Sequence, residues 1–401
     1  MKLIHTLKRA SFTTSAAATA TLMLALTPAT SSAVDFGGYF RAGPGSTSKD
    51  ASRACYGLSG PGLKYRLGNE CDIYGEFTFT QAYKKDGLDY KVVLMPNIWN
   101  GGTDDAGAKF GLAQMYAEGK GFDVAPDATF WVGKRRGRAD VHIVDTNFVE
   151  MDGVGGGIEG IAAGPGKLGF AYYRDDGTSN KAGNRFNVDY HSIPVNEGGK
   201  LRFVGTAVNG TFAGGTNGYG LTVQHNQDNF LGLGGGNVVW LQTSSGSANL
   251  NANFGSLSAQ SSDRSVRLIE SFTWQKGPFG GQALAFIQKD KAAGLTTTSA
   301  TIGGRASYAF TKNFKLVSEL GVSTKKPENG DKQRVTKFTI APTLATGPDF
   351  WNRPELRLYA THAKWNDAAN AAAGPNGLTG VPANAGKTSG TSYGLQVEWW
   401  F

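Results

Sequence analysis

The sequence predicts an all-β fold, a transmembrane antiparallel β-barrel of about 18 strands. Short segments of alternating apolar and polar residues recur along almost the whole chain, separated by clusters of Gly, Asn, Asp, Ser and Pro. The chain opens with an export signal, yet no later segment reaches the ~18 consecutive apolar residues of a transmembrane helix. The chain also ends on aromatic residues, which is typical of strands that meet the membrane–water boundary. Together these observations favour one continuous barrel.

Residues 1–33 are interpreted as a secretory signal peptide. The basic residues Lys2, Lys8 and Arg9 precede a short apolar stretch, and small residues at the end provide a cleavage site. The mature barrel would then comprise residues 34–401, and loss of the three basic residues lowers the formal charge from +8 to +5. This mild charge, without a clustered basic run, argues against nucleic acid as a partner.

The first strands of the mature chain alternate with period 2. Tyr39 and Arg41 share one face of the segment VDFGGYFRAG, opposite two phenylalanines. Tyr74 and Glu76 repeat this arrangement in the segment that starts at Asp72. In a soluble β-sandwich the apolar face would be the core. In a membrane barrel it would contact lipid, and the polar face would line a lumen.

The C-terminal segment TSYGLQVEWWF favours the membrane barrel. One face is apolar throughout, with Tyr393, Leu395, Val397, Trp399 and Phe401. Trp400 lies on the other face with Gln396 and Glu398. Closing the sheet into a barrel also removes the edges that an open sheet of this many strands would expose.

The only two cysteines, Cys55 and Cys71, lie 16 positions apart in the exported part of the chain. Outside the cytosol a disulfide between them is the default expectation. A loop closed in this way suits a staple on an extracellular loop.

Signals for an enzyme or a cofactor are poor. The segment GGGIEG at 155–160 formally matches a dinucleotide-binding fingerprint, but no βαβ pattern surrounds it. We interpret it as a glycine-rich turn. The histidines of the mature chain are scattered without metal-ligand spacing. The sequence therefore predicts no enzymatic activity, no cofactor and no metal.

Five segments resemble those of the maltoporins, a family of sugar porins of bacterial outer membranes, and occur in the same order. They are VDFGGYFRAG, CYGLSGPGLKYRLGNECDIYGEF, FWVGKRRGRADVHIVD at 130–145, FWNRPELRLYATHAKWND at 350–367 and LQVEWWF. The spacing of Cys55 and Cys71 also matches the first-loop disulfide of that family.

The resemblance implies a homotrimer of eighteen-stranded barrels, each with a constriction loop folded into the pore. It also implies a line of aromatic residues, the aromatic slide, with ionic tracks beside it. By motif, the slide positions are Tyr39, Tyr74 and Trp400, which the alternation independently places on the polar face. Trp99 resembles the tryptophan that reaches in from a neighbouring subunit. The ionic tracks would comprise Arg41, Arg66, Glu76, Arg138, Asp140 and Asp145.

Some positions depart from the family pattern. Asn147 stands at the constriction where the family has a tyrosine, and Gly111 stands where an arginine is expected. Slide aromatics are replaced near Asn237 and near Ala300, although Trp240 could partly compensate for the first. A smaller constriction residue would widen the pore, and a shorter slide would weaken the guidance of long linear sugars.

Structural interpretations exist for the same residues. The slide aromatics could be ordinary interior or interface aromatics, and the other track residues could be charges that keep the lumen wet. Arg138 and Asp140 lie two positions apart on one face of an extended segment and could form a structural ion pair. The basic cluster at 134–136 could be a solvated loop turn or a lipopolysaccharide contact, and we favour the structural interpretation.

The resemblance predicts an outer-membrane channel of a Gram-negative bacterium that lets sugars, above all maltose and maltodextrins, diffuse into the periplasm. One alternative is a broader carbohydrate porin or general diffusion porin. A more distant alternative is an exported β-rich binding or adhesion protein. The expected partners are small sugars, the outer membrane with its lipopolysaccharide, two further copies of the chain, and a periplasmic sugar-binding protein.

Overall fold

The computed structural model describes residues 33–48, 53–102, 107–175, 183–210, 214–256 and 258–401. The predicted signal peptide therefore lies, up to residue 32, outside the described residues. Within the described ranges no helix is both long enough and apolar enough to cross a membrane. The longest helix there, α1 (Asp367–Ala372), has six residues and begins after Asn366, whose side chain accepts a hydrogen bond from the Ala369 amide.

The described residues form 21 β-strands. They are β1 (Asp35–Ala42), β2 (Gly45–Thr47), β3 (Ile73–Lys85), β4 (Leu88–Asn100), β5 (Lys109–Lys120), β6 (Thr129–Arg135), β7 (Arg138–Val141), β8 (Thr146–Glu150), β9 (Gly153–Ala163), β10 (Gly166–Asp175), β11 (Gly183–Asn196), β12 (Gly199–Asn209), β13 (Gly218–Gln227), β14 (Asn237–Ser245), β15 (Arg264–Lys276), β16 (Phe279–Ala292), β17 (Leu295–Ala309), β18 (Phe314–Pro327), β19 (Gln333–Ala345), β20 (Glu355–Trp365) and β21 (Ser389–Trp400).

All of these strands except β7 and β8 belong to one antiparallel sheet that closes on itself. It closes because β1 pairs with β3 on one side and with β21 on the other. The short strand β2 also pairs with β21 and continues the position of β1, so the described chain forms a barrel with 18 strand positions. The predicted antiparallel barrel of about 18 strands is confirmed.

The alternation seen in the sequence sorts residues between the two faces of the barrel wall. Along β20, Leu356 and Leu358 are exposed, whereas Arg357, Tyr359 and Thr361 on the other parity are buried. Apolar residues thus face outward, where a membrane barrel meets lipid, and polar residues face the lumen.

The two ends of the barrel differ in the length of their connections. At the end that carries Asp35 and Phe401, turns as short as Asp86–Gly87 join the strands. At the other end the connections include long loops at 43–72 and 366–388. Outer-membrane barrels have short periplasmic turns and longer extracellular loops, so the short-turn end faces the periplasm.

β7 and β8 pair with each other as a separate hairpin. The chain reverses between them at residues 142–145, where Asp145 has a left-handed φ of 49°. Residues 140–150 therefore do not form one continuous strand. We call residues 136–152 the inner hairpin, because its apolar side chains Ile143 and Phe148 are buried against the wall.

Contacts with β14–β16 fix the inner hairpin. The Phe148 ring lies 5.6 Å from the Trp240 ring and 6.0 Å from the Phe286 ring. Gln242 donates a hydrogen bond of 2.6 Å from Nε2 to the Phe148 carbonyl. The predicted inward-folded constriction loop thus corresponds to a hairpin with its own apolar contacts.

The loop closed by the disulfide Cys55–Cys71 also folds into the barrel. The Leu67 amide donates to Glu319 on β18 at 2.8 Å, and Lys337 Nζ donates to the Leu67 carbonyl at 2.8 Å. The disulfide is confirmed. The loop that it closes belongs to the long-loop, extracellular end and folds inward over the inner face of β17–β20.

The glycine-rich segment 155–160 belongs to β9 and is not the turn that we predicted. A Cβ atom on Gly155 would overlap the Tyr172 carbonyl oxygen on β10. The glycines therefore allow a close strand pairing, and their lack of side chains hid the alternation that marks other strands.

Candidate functional site

Aromatic side chains form a diagonal row across neighbouring strands of the inner wall. Trp400 on β21 is directly paired with Tyr39 on β1, and Tyr74 on β3 is directly paired with Trp99 on β4. The Tyr39 and Tyr74 rings are 6.3 Å apart. The structure thus brings all four predicted aromatic residues together on one side of the lumen.

Trp351 extends this row and was missed in the sequence. Its ring lies 6.1 Å from the Trp400 ring, and the residue is 40% exposed. It stands in the inward-folded turn 346–354 at the short-turn end, so strand alternation could not assign it a face. The signal that could have found it is its place in the maltoporin-like segment at 350–367. The aromatic row is hereafter Trp351, Trp400, Tyr39, Tyr74 and Trp99.

Trp99 lies inside its own barrel. Its Nε1 donates a 3.2 Å hydrogen bond to Asp72 of the same chain, and Lys109 Nζ lies 5.3 Å from its ring centroid. The role of a tryptophan that enters a neighbouring subunit stays a prediction. Within one chain, Trp99 forms the extracellular end of the aromatic row.

Arg41 holds three carboxylates beside the row. Its guanidinium lies 2.9 Å from Asp72, 3.0 Å from Asp145 and 3.2 Å from Glu70. It also lies 5.2 Å from the Tyr74 ring centroid. Because Asp145 is the apex of the inner hairpin, Arg41 connects the row to the constriction.

Arg66 lies behind the row and is buried, at 3% exposure. It contacts Glu70 at 2.9 Å and Glu398 at 3.1 Å, and it donates to the Tyr39 hydroxyl. Arg66 was predicted to line an ionic track. The structure places it where it orients Tyr39 but is covered from a solute in the lumen.

A second group of charges lies along the stem of the inner hairpin. Arg136 contacts Glu76 at 2.5 Å, and Glu76 accepts from the Tyr74 hydroxyl. Arg138 donates to Asp152 at 2.6 Å and lies 3.5 Å from Glu150. The alternative pairing of Arg138 with Asp140 is therefore wrong, and Asp140 remains exposed.

The basic cluster at 134–136 is only partly the solvated turn that we considered. Arg135 makes a two-pronged ion pair with Glu159, at 3.0 and 2.7 Å. Arg136 faces the lumen beside Glu76, and Lys134 is exposed. Arg136 thus joins the ionic groups, although sequence reasoning had treated it as structural.

Asn147 lies on β8, paired with Asp140, and is partly exposed. Gly111 on β5 is paired with Asn97, and a Cβ there would lie 2.7 Å from Asn97 Oδ1. Asn147 thus lies on the inner hairpin and Gly111 on the barrel wall. The wider constriction expected from these two residues stays a prediction.

The expectations for the far wall need correction. Trp240 is only 2% exposed because Phe148 covers it, so it does not replace a slide aromatic. Asn237 faces outward with Glu270, to which its Nδ2 donates at 3.1 Å. Ala300 also faces outward, paired with the exposed Ile287. Neither Asn237 nor Ala300 is therefore a lumen position.

The whole barrel matches one family model. Residues 34–401 match the model described as LamB porin. The chain belongs to the LamB porin family. This confirms the resemblance to the maltoporins and makes the protein an outer-membrane channel of a Gram-negative bacterium.

Solved structures similar to this LamB porin share its fold at low sequence identity. OccAB1 of Acinetobacter baumannii is 9% identical with a TM-score of 0.50, and the match covers 92% of this chain and 96% of that chain. OmpT, an outer membrane protein of Vibrio cholerae in a trimer form, is 10% identical with a TM-score of 0.43, covering 92% and 99%. At such identity the match to OccAB1 supports the fold alone.

Asp145 and His142, at the turn of the inner hairpin, have shifted pKa values in this LamB porin. Burial alone would raise the pKa of Asp145, but the guanidiniums of Arg66 and Arg41 outweigh it and lower that pKa below its ordinary value. Burial lowers the pKa of His142 to about 4, against an opposing effect of Glu398 and with help from Arg66. At neutral pH Asp145 is charged and His142 is neutral.

Proposed function

We propose that this LamB porin mediates the passive diffusion of linear sugars, above all maltose and maltodextrins, along its aromatic row. The observation that carries the proposal is the diagonal course of the row from Trp351 at the short-turn end to Trp99 near the extracellular end. A sugar chain presents successive apolar ring faces to such a surface.

The chemistry of the row suits carbohydrates. Tyr and Trp combine a flat apolar area with a polar tip, so a pyranose ring can stack while its hydroxyls remain solvated or bonded. Arginine forks and carboxylates exchange hydrogen bonds with successive hydroxyl groups. Arg41 and Asp145 lie within 3.0 Å of each other beside Tyr74, and Asp140 is exposed nearby.

Transport requires weak binding. A sugar must enter the channel favourably and still leave it, which a series of similar contacts allows. A dissociation constant near 1 mM corresponds to about 4 kcal/mol. A few stacking contacts and exchanged hydrogen bonds supply this after the cost of association.

A second candidate is a carbohydrate porin of broader specificity. It is favoured by the small residues Asn147 on the inner hairpin and Gly111 on β5, which would leave a larger aperture for bulkier or branched sugars. In that case the aromatic row would favour linear sugars less strongly.

The proposal includes an assembly and a setting. We propose that the export signal at 1–33 is removed, that three copies of the chain assemble, and that lipopolysaccharide surrounds the trimer. A periplasmic sugar-binding protein would receive the sugar at the short-turn end. These points rest on the resemblance to the maltoporins.

Liposome swelling tests the proposal directly. The purified protein is reconstituted, and swelling rates are compared for maltotriose and raffinose, two trisaccharides of equal mass but different linkage. We expect maltotriose to enter clearly faster, and the Trp351→Ala variant to reduce this preference. Equal rates in the wild type would favour the broader carbohydrate porin, and no swelling with either sugar would contradict both candidates.

A further inference from the structure

Four polar side chains form a continuous patch on the inner wall opposite the aromatic row. Asn187 and Asp189 lie two positions apart on the inward face of β11. Arg202 on β12 is directly paired with Gln224 on β13. We call these four residues the β11–β13 patch.

An ion pair forms the centre of the patch. Arg202 donates from Nε to Asp189 Oδ1 at 2.8 Å and from Nη2 to Oδ2 at 2.7 Å. Both partners are partly exposed to the lumen. A two-pronged pair of this kind is held in one geometry, and its remaining N–H groups and lone pairs can bond a solute.

Two amide oxygens beside the ion pair accept no hydrogen bond from the described residues. They are Asn187 Oδ1, in a residue 2% exposed, and Gln224 Oε1, in a residue 6% exposed. The amide nitrogen of Asn187 donates to Thr206 Oγ1 at 2.9 Å and to the Ala252 carbonyl at 3.1 Å. Because the Ala252 carbonyl can only accept, this contact identifies the amide nitrogen of Asn187. The atom of Asn187 without a partner is therefore the amide oxygen, an acceptor. Buried acceptors are costly unless a donor reaches them.

The patch borders two recesses in the wall. Their volumes are about 190 and 340 Å³, and Asp189, His191 and Arg202 line both. Asn187 lines the smaller recess and Gln224 the larger. The two recesses therefore meet at the ion pair.

Small residues create the smaller recess. Gly169 and Ala171 of β10 line it, and the ion pair of Arg135 with Glu159 lies on its other side. Gly137 and Met151, from the stem of the inner hairpin, also line it. The recess thus lies between the inner hairpin and the short-turn end, beyond the constriction for a solute that enters from outside.

The aromatic rings near the β11–β13 patch offer little surface for stacking. The nearby Trp131 and Tyr173 are buried, with the guanidinium of Arg135 5.0 Å from the Trp131 ring centroid and that of Arg185 4.0 Å from the Tyr173 ring centroid. A ligand here would be held by hydrogen bonds rather than by stacking. Neutral solutes that are rich in hydroxyl groups offer acceptors to the N–H groups of Arg202 and donors to the carboxylate of Asp189, and both of these side chains are partly exposed.

We propose that the β11–β13 patch is a second binding site, for polyhydroxylated solutes, on the periplasmic side of the constriction. Its assignment to sugars in transit rests on the proposed function. Such a site gives a solute that leaves the aromatic row another weak binding site before its release into the periplasm. A series of weak sites favours conduction. Because it does not depend on stacking, it accepts linear polyols as well as sugar rings.

Saturation-transfer NMR on the full-length protein in detergent micelles, with D-glucitol as the probe, tests the site. D-glucitol has no ring face to stack on the aromatic row. We expect saturation transfer in the wild type and in Trp400→Ala, and a loss of at least about tenfold in the Asp189→Asn/Arg202→Gln double variant. Asp89→Asn, at the exposed pair with Lys84, is the matched control and should behave as the wild type.

A second variant keeps the test valid if the double variant misfolds. Ala171→Leu fills the smaller recess and leaves the ion pair in place, so it should also abolish saturation transfer. Equal transfer in wild type and Ala171→Leu, or no transfer in the wild type, would overturn the site. A water-filled recess would give the latter result.

Current block by maltotriose separates this proposal from the proposed function. We expect block to change less than about twofold in Ala171→Leu, because the aromatic row is untouched. Absence of maltotriose block in the wild type would contradict the proposed function. The polyol site would still stand if Ala171→Leu removed the D-glucitol signal.

Discussion

Two groups of charges in the lumen, one on β17–β19 and one beside the aromatic row, lie in different surroundings. On β18, Glu319 is fully buried and contacts Arg305, Lys337 and the Leu67 amide within 2.8 Å. Beside the aromatic row, Asp145 of the inner hairpin contacts Arg41 of β1, yet its side chain is 49% exposed. Both belong to the polar interior of one barrel, but the disulfide-closed loop covers only the first.

This difference separates structural charges from available ones. A buried charge that loses its partners is costly, whereas an exposed pair contributes little to stability. Charges under the disulfide-closed loop should therefore hold that loop in place. Charges beside the aromatic row remain free to exchange hydrogen bonds with a solute.

The largest expected effect follows from breaking the buried group. Glu319→Ala leaves Arg305 and Lys337 buried without their carboxylate, and we expect a loss of about 3–5 kcal/mol in the free energy of unfolding. Urea unfolding of the protein in detergent micelles measures this. Asp89→Ala, which breaks the exposed pair with Lys84, is the control and should cost about 0–1 kcal/mol. Similar losses in both variants would remove the distinction between buried and exposed charges.

A smaller effect concerns His142, which is buried between the guanidiniums of Arg66 and Arg305. Its pKa of about 4 lies below the ordinary value of 6.5, so the unfolded chain binds more protons between these values. The contribution of His142 to stability should therefore be constant above pH 6.5 and fall as the pH decreases toward 4, by up to about 3 kcal/mol. His142→Gln should show a shallower fall in urea unfolding measured across this window. Parallel curves for variant and wild type would contradict the burial of His142.

A substitution in the aromatic row should have a smaller effect in free energy than the two above, and this effect should appear in sugar binding. Trp400→Ala removes one stacking surface, and we expect the dissociation constant for maltotriose to rise about 2- to 10-fold. Ion conductance should stay unchanged or rise slightly. Trp399→Ala, at the adjacent residue on the outward face, is the control for sugar block in planar bilayers. A collapse of assembly in Trp400→Ala alone would make that residue structural.

The smallest change tests the constriction. Asn147→Tyr places a large ring on β8 of the inner hairpin, so single-channel conductance should decrease. Asn147→Ser, which shortens the side chain, should leave it equal or slightly higher. A conductance that is unaffected by tyrosine would place Asn147 away from the narrowest point.

Strand alternation predicted the faces of Tyr39, Tyr74 and Trp400 correctly, because period 2 is a local property of an extended chain. Alternation does not reveal which loop folds over an inward residue. Trp240 faces inward and is covered by Phe148. Arg66 stands in the disulfide-closed loop itself, where ion pairs with Glu70 and Glu398 bury it.

Other errors have equally local causes. The all-glycine stretch of β9 has no side chains to alternate, and Trp351 stands in a turn, where parity has no meaning. Asn237 and Ala300 were assigned to the lumen by extending the resemblance through residues 150–345, where none of the five matching segments lies. In a strand, a shift of one residue exchanges lumen and lipid faces.

Single-channel recording with a series of linear maltodextrins tests most directly whether the aromatic row guides sugars. We expect maltose, maltotriose and longer maltodextrins to block the ion current at millimolar concentration, with affinity rising with chain length as more rings of the row are engaged. Trp351→Ala should weaken the block most for the longer sugars. Conductance with no block, or with affinity independent of chain length, would contradict a working aromatic row in this LamB porin.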